Sequence, residues 1–413
     1  MYLLKTALIF FVTISVVTEF IYTKRENNYL RGGPACYYPL VEILPIGTKM
    51  QVVEKIKKWI NVRVSNGKSG WISENSISIP KPHVTYEERL LKTWSSAKAS
   101  KTGIAAAIKG LTKKIGITDT GDVDLLLKLT ENVFSPDELN KFRNELEKVR
   151  SKNVNRVNLD DLDLKTPEYD PSIRELQVGV GVASRLLSKG AVLNKELSKY
   201  VNLICQVLIT HSYFYDWDFK VIIIDDEKID GFACPGGYVF VTKGAILNCK
   251  DEAELASIIA HEIAHVVRKH GLQEMTERKV QIKADQAIAE LEAELEAEKD
   301  SIEIELEHII LNGYEKIVHE RLLNYEIESD LIASILCANA GYDPVGIVRV
   351  AKSLAELYKE EKDIFSYDYA SPNDANIRFS AIQKFVGKNF LKEKLNGQLS
   401  IRLNHYKQML RSY

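Results

Sequence analysis

Between residues 24 and 80 apolar and polar positions alternate in short runs: Val41-Glu42-Ile43-Leu44, Lys49-Met50-Gln51-Val52-Val53 and Trp59-Ile60-Asn61-Val62-Arg63-Val64. Gly67 and Gly70 punctuate the end of the stretch, before Trp71-Ile72. A period of two with glycine turns predicts short strands closing on a small β-barrel. From about residue 84 to 165 the pattern becomes polar and helical, with Gly110, Gly116 and Gly121 as interruptions, and predicts a helical connector. Farther on, Tyr238-Val239-Phe240-Val241 is a run of strand formers behind the turn Pro235-Gly236-Gly237. An apolar helix follows, starting near Asp251-Glu252-Ala253. Between Gln281 and Ile310, Ile288, Leu295, Ile302 and Ile309 recur every seven residues among glutamates, with Leu291 and Leu306 in the same stripe. That spacing predicts one long amphipathic helix, either packed on its own domain or serving as a lid or dimerising arm. Residues 391–413 read as a C-terminal helical tail. The fold class is multidomain α+β: a small all-β barrel, then a mainly helical domain with a short β-sheet.

Ahead of these elements, one lysine (Lys5) and a short apolar stretch from Ala7 to Val17 have the layout of a secretory signal peptide, so residues 1–23 are expected to be a signal peptide or an N-terminal anchor. The longer run from Ala7 to Tyr22 is interrupted by Thr13, Ser15, Thr18 and Glu19, which leaves it short for a membrane span. Export to the periplasm or cell envelope follows, with membrane association confined to this end. The formal net charge of −2 over 413 residues offers no basic excess to neutralise phosphates and argues against a nucleic-acid partner. Five cysteines without C-x-x-C spacing give neither a cysteine metal site nor a redox pair; buried free thiols are the simplest reading. Asn158-Leu159-Asp160-Asp161-Leu162-Asp163 lacks the glycine and glutamate spacing of a calcium loop.

The candidate chemistry lies in the apolar helix, where His261-Glu262-Ile263-Ala264-His265 reads H-E-x-x-H. Residues four apart share a helix face, so His261 and His265 can hold one cation, with Glu262 beside them to take a proton from a metal-bound water. A catalytic zinc needs a third protein ligand. Glu326 and Asp330, also four apart, share a face of a second helix. Glu326 is the expected third ligand and Asp330 the carboxylate that orients a ligand histidine. Glu328 points about 200° away from Glu326 and is expected to be solvated, and His270 is expected to lie off the metal-binding face. One Zn2+ per chain is the expected cofactor.

His261-Glu262-Ile263-Ala264-His265-Val266 with Glu326-Ile327-Glu328-Ser329-Asp330 resembles the HtpX and CAAX-prenyl-protease family of zinc endopeptidases, which are gluzincins. Two further stretches match: Asp230 to Gly244, around Pro235-Gly236-Gly237, is similar to the family's strand region, and Ala340-Gly341-Tyr342-Asp343-Pro344 is similar to its loop after the third-ligand helix. The resemblance covers about residues 170 to 385 and implies a zincin-type metallopeptidase domain over 166–390. It also implies that an extended substrate adds as a strand beside the active-site helix, and that Arg378 donates to the oxyanion of the intermediate. One departure stands out: Ser371 occupies the position of the family's histidine, so either another donor substitutes, with His308, His319 and Tyr325 as candidates, or the enzyme is slow. The multi-span membrane chamber of the integral-membrane members is absent, which argues against a prenyl-protein substrate. Residues 24–80 resemble bacterial SH3 domains through Leu30-Arg31-Gly32-Gly33-Pro34 and Gly67 to Ile72, implying a peptidoglycan or peptide ligand. Three functions follow: an exported zinc endopeptidase acting on envelope proteins, misfolded ones included; a weakly active or inactive zinc-stabilised chaperone or scaffold; and a wall-binding protein acting through the SH3-like unit.

Overall fold

A computed structural model describes residues 19–25, 27–82, 122–131, 133–149, 171–271, 273, 310, 322–360, 372–390 and 398–413. Outside them lie the leader through residue 18, most of the 84–165 connector with its aspartate-rich run, the heptad segment of 281–309, and Ser371, His308 and His319. The chain divides into two compact units, Met1–Thr93 and Trp94–Tyr413.

The first unit is an all-β region of seven strands: β1 (Phe20–Thr23), β2 (Asn28–Arg31), β3 (Leu40–Leu44), β4 (Lys49–Ile56), β5 (Trp59–Val64), β6 (Ser69–Ser73) and β7 (Ile77–Ser78). They form one antiparallel sheet in the order β3-β2-β6-β5-β4-β1-β7. The alternation seen in the sequence becomes the burial pattern: Leu30, Leu44, Met50, Ile60, Val62, Val64 and Ile72 pack on one another with Ile21. Such positions drive folding because burying an aliphatic side chain contributes about 1.5–3 kcal/mol. Trp59 is buried and Trp71 half-buried, as core or edge residues. One boundary differs from expectation. β1 lies inside the stretch read as leader, yet Phe20, Ile21 and Tyr22 pair with Gln51, Met50 and Lys49 of β4. The reason is a period-two pattern at the end of the apolar run, with Ile21 and Thr23 inward and Phe20 outward.

The second unit is mainly helical: α1 (Val123–Thr130), α2 (Pro136–Val149), α3 (Ile173–Leu186), α4 (Lys195–Thr210), α5 (Lys243–Asn248), α6 (Glu252–Val267), α7 (Leu323–Ala340), α8 (Val345–Glu360), α9 (Pro372–Asn389) and α10 (Gln398–Arg411). A three-stranded sheet, β8 (Lys220–Ile224), β9 (Gly231–Cys234) and β10 (Tyr238–Thr242), completes it in the order β8-β10-β9. β10 runs parallel to β8 and antiparallel to β9, so β9 is an edge. No helix among the described residues is long and apolar enough to cross a membrane. All five cysteines are buried thiols.

The buried centre is α6, apolar on nearly every side, with Leu255, Ala256, Ile259, Ala260, Ile263 and Ala264 sealed from water. It contacts α4, α7, α8, α10, β9 and β10. Its first turn is tied down on several sides. Asp251 caps Glu254 N at 3.0 Å while Glu254 Oε2 accepts from Lys250 N at 2.7 Å, a reciprocal cap. The Arg349 guanidinium of α8 then bridges Asp251, Glu254 and Asp343.

Glu252, fully buried at the helix start, accepts from Tyr200 Oη at 2.9 Å, Tyr342 Oη at 2.9 Å and the Arg402 guanidinium of α10. The A-G-Y-D-P loop acquires physical meaning here. Gly341, at φ 96°, ends α7 in the left-handed region, Tyr342 reaches Glu252, and Asp343 caps Val345 N at 3.0 Å to start α8. Removing one partner of a buried charge pair leaves the other uncompensated. Arg402→Ala is therefore expected to lower the stability of the second unit by about 3 kcal/mol, read as a fall in its urea midpoint, with Arg402→Lys losing less.

Candidate metal centre

α6 and α7 lie side by side and bring two i, i+4 pairs face to face. His261 and His265 come from α6, Glu326 and Asp330 from α7. His261 Nε2 and His265 Nε2 are 3.0 Å apart. Glu326 Oε1 lies 3.1 Å from His265 Nε2, and Glu326 Oε2 lies 3.4 Å from His261 Nε2. These three residues can each offer one ligand atom within 4.8 Å of the others, and no other such cluster occurs among the described residues.

Hydrogen-bond polarity assigns what the three groups present. Asp330 accepts from His261 Nδ1 at 2.8 Å, so the proton sits on Nδ1 and the lone pair of Nε2 faces Glu326. Burial opposes a positive His261, as does the Arg378 guanidinium. The Glu326 and Asp330 carboxylates outweigh both and hold the imidazole up to about 9 in the absence of a cation. His265 goes the other way: burial drives it down to about 3 despite Glu326, leaving a neutral ring. With no cation bound, a protonated His261 can donate from Nε2 into the cluster; with His261 neutral, the two imidazole nitrogens and the carboxylate oxygen turn lone pairs on one another that a cation would satisfy. Nitrogen and oxygen donors in a set of three suit zinc with an open fourth position. The residues fit the ion.

Arg378 of α9 braces both acids. Its Nη1 donates to Glu326 Oε2 at 2.6 Å, its Nε to Asp330 Oδ2 at 2.5 Å and its Nη2 to Asp330 Oδ1 at 2.8 Å. Burial opposes ionisation of Asp330, but Arg378 and His261 outweigh it and hold the carboxyl below its ordinary value. Glu262 is buried beside the start of β9, where a Cβ on Gly231 would fall 2.7 Å from Glu262 Oε1. The absent side chain leaves room for that carboxylate. A recess lined by Ile229, Ala245, Ile258, Val350 and Leu354 opens onto His261, Glu262 and Arg378.

One expectation needs correction, and one residue takes a part that the sequence did not show. Glu328 is not solvated: its Oε1 lies 2.5 Å from Arg268 Nη2 and its Oε2 3.0 Å from His270 Nε2, with the side chain 24% exposed. It does point away from the metal site, but into a second polar pair rather than into water. His270 does lie off the metal-binding face. It is nevertheless part of the centre, because its Nδ1 is 3.0 Å from His265 Nδ1. Helical phase stops applying after Val267, and the left-handed Lys269, at φ 57°, turns the chain back. Lysine is not a usual marker of that conformation, so the sequence carried no signal for it. Tyr325 stacks on the His270 ring at 4.2 Å between centroids.

Residues 195–386 match the family model described as Peptidase family M48. The chain is 31% identical over 158 residues to the mitochondrial metalloendopeptidase OMA1 of Schizosaccharomyces pombe, covering 38% of this chain and 42% of that protein. It is 28% identical over 106 residues to the beta-barrel assembly-enhancing protease of Escherichia coli K12, covering 25% and 22% respectively. The Arabidopsis thaliana OMA1 metalloendopeptidase is 28% identical over 146 residues, covering 35% and 28%. The matched segment spans less than half the length of each of these relatives. Removing a carboxylate that orients a ligand histidine typically weakens metal binding by about 10–100-fold. Asp330→Ala is accordingly expected to lose about that much zinc affinity in a chelator-competition titration.

Proposed function

We propose that this chain, which carries a peptidase family M48 domain across residues 195–386, is a zinc-dependent metalloendopeptidase. The observation that supports this reading most strongly is the convergence of His261, His265 and Glu326 beside Glu262. Bound there, zinc would supply a Lewis acid that activates water and polarises the scissile carbonyl. His261 and His265 hold their Nε2 lone pairs inward. Glu326 contributes the anionic donor, and Asp330 and Arg378 keep the ligand face from rotating. Glu262 accepts the water's proton and returns it to the leaving amine.

The substrate reaches this centre in extended form along β9. An edge strand offers main-chain donors and acceptors, which bind a peptide with little regard for its sequence. The neighbouring apolar recess then receives a side chain, and unfolded segments are the natural substrate class for such an edge. Export to the periplasm or envelope, the bacterial SH3 identity of the first unit and its peptidoglycan or peptide ligand belong to the same reading. They rest on the leader-like start and the Leu30 to Ile72 motifs.

Two variants test the roles. Glu262→Gln keeps the ligand set and removes the base, so zinc content is expected to stay at one per chain while cleavage of casein falls below detection. Normal cleavage by that variant would overturn the role of Glu262. Gly231→Ala is expected to leave the melting temperature and zinc content unchanged. By pushing the Glu262 carboxylate aside, it should lower kcat/KM by about 100-fold, the typical effect of a misplacement near 1 Å.

A further inference from the structure

His261 has a carboxylate to set its tautomer, and His265 has no carboxylate of its own in the M48 reading on which this section rests. Its Nδ1 faces another imidazole instead, His270 Nδ1 at 3.0 Å. Two ring nitrogens at that distance form a bond only if one carries the proton and the other does not. The far side of His270 decides which. His270 Nε2 is 3.0 Å from Glu328 Oε2, and an ionised carboxylate can only accept. His270 therefore donates from Nε2, and in that tautomer its Nδ1 is the acceptor. His265 must then donate from Nδ1, which leaves the His265 Nε2 lone pair aimed at His261 and Glu326.

Each member of this chain is held in place. Glu328 has its other oxygen on Arg268 Nη2 at 2.5 Å. His270 is 2% exposed, stacks on Tyr325 with an interplanar angle of 8°, and has Ser329 Oγ at 3.4 Å from Nδ1, farther than His265. The backbone pays a conformational cost for the arrangement, since Lys269 sits in the left-handed region at φ 57°, with its ammonium on Glu175 at 2.8 Å. A turn needed only to end a helix would more often use glycine.

We propose that His270 and Glu328 are positioning residues for the metal centre: a relay that locks His265 in its ligating tautomer, as Asp330 does for His261. The two histidines would then be oriented by different chemistry, a carboxylate directly and a carboxylate acting through a second imidazole. Losing such an orienting partner typically costs about 10–100-fold in metal affinity.

The test is zinc release from the full chain to a chromogenic chelator, with zinc content and melting temperature of the metal-free proteins measured on the same samples. His270→Phe keeps the stack on Tyr325 and removes both hydrogen bonds. It is expected to release zinc about 10–100-fold faster than the unsubstituted protein. His270→Asn restores an acceptor for His265 Nδ1 and should recover a large part of that loss. Glu328→Gln, which retains a carbonyl acceptor for His270, should release zinc more slowly than Glu328→Ala. Equal release rates in all of these variants, or His270→Asn as impaired as His270→Phe at equal melting temperature, would overturn the relay. An unsubstituted protein that binds no zinc would instead overturn the metallopeptidase reading itself, and the relay with it.

Discussion

Three groups that can each ligate one cation share a space a few ångströms across, and much of the second unit is arranged to keep them there. His261 Nε2, His265 Nε2 and the Glu326 carboxylate lie 3.0–3.4 Å apart. As neutral imidazoles and a carboxylate they turn lone pairs on one another in a buried site, which a proton on His261 or a cation would satisfy. A helix pair holds them in place. α6 is sealed into the core along its length, and α7 packs on it, with Cys337 Sγ 3.6 Å from Ser257 Oγ. Arg378 supplies positive charge behind Glu326 and Asp330 and holds the Asp330 carboxyl below its ordinary value. A cation would complete the balance.

The same constraint explains the investment at the start of α6. A ligand helix that slid or rotated by one residue would carry His261 and His265 off the shared face. The reciprocal cap by Asp251 and Glu254, the Arg349 bridge and the buried Glu252 cluster all act on its first turn. Tyr200 brings in α4, Tyr342 the loop after α7, and Arg402 the C-terminal helix. Elements far apart in sequence thus fix the rotation of one helix, whose other end bears the chemistry.

Much of this was legible from residue pattern alone. The i, i+4 spacing of His261 with His265 and of Glu326 with Asp330 survives in the structure because both stretches stay helical throughout. The alternation in β5 likewise became a strand that buries Ile60, Val62 and Val64. What failed depended on a change of phase or on distance. Phe20–Thr23 looked like the end of an apolar leader, and its period of two was too short to stand out. Helical angle pointed Glu328 away from Glu326 and put His270 off the metal-binding face, as found, but it could not show that His270 would reach His265 Nδ1, because the left-handed Lys269 redirects the chain beyond Val267. Arg378 came into view only through family resemblance, because no spacing rule connects a residue on α9 with carboxylates 48 and 52 positions earlier.

The measurement that bears most directly on the central claim is cleavage of unfolded casein by the purified chain, followed through removal and return of metal on one sample. The account predicts one zinc per chain at the start, loss of cleavage when a chelator strips it, and recovery of the original rate on adding back one equivalent of Zn2+. Cleavage that continues undiminished in metal-free protein would contradict it, as would a chain that takes up no zinc at all.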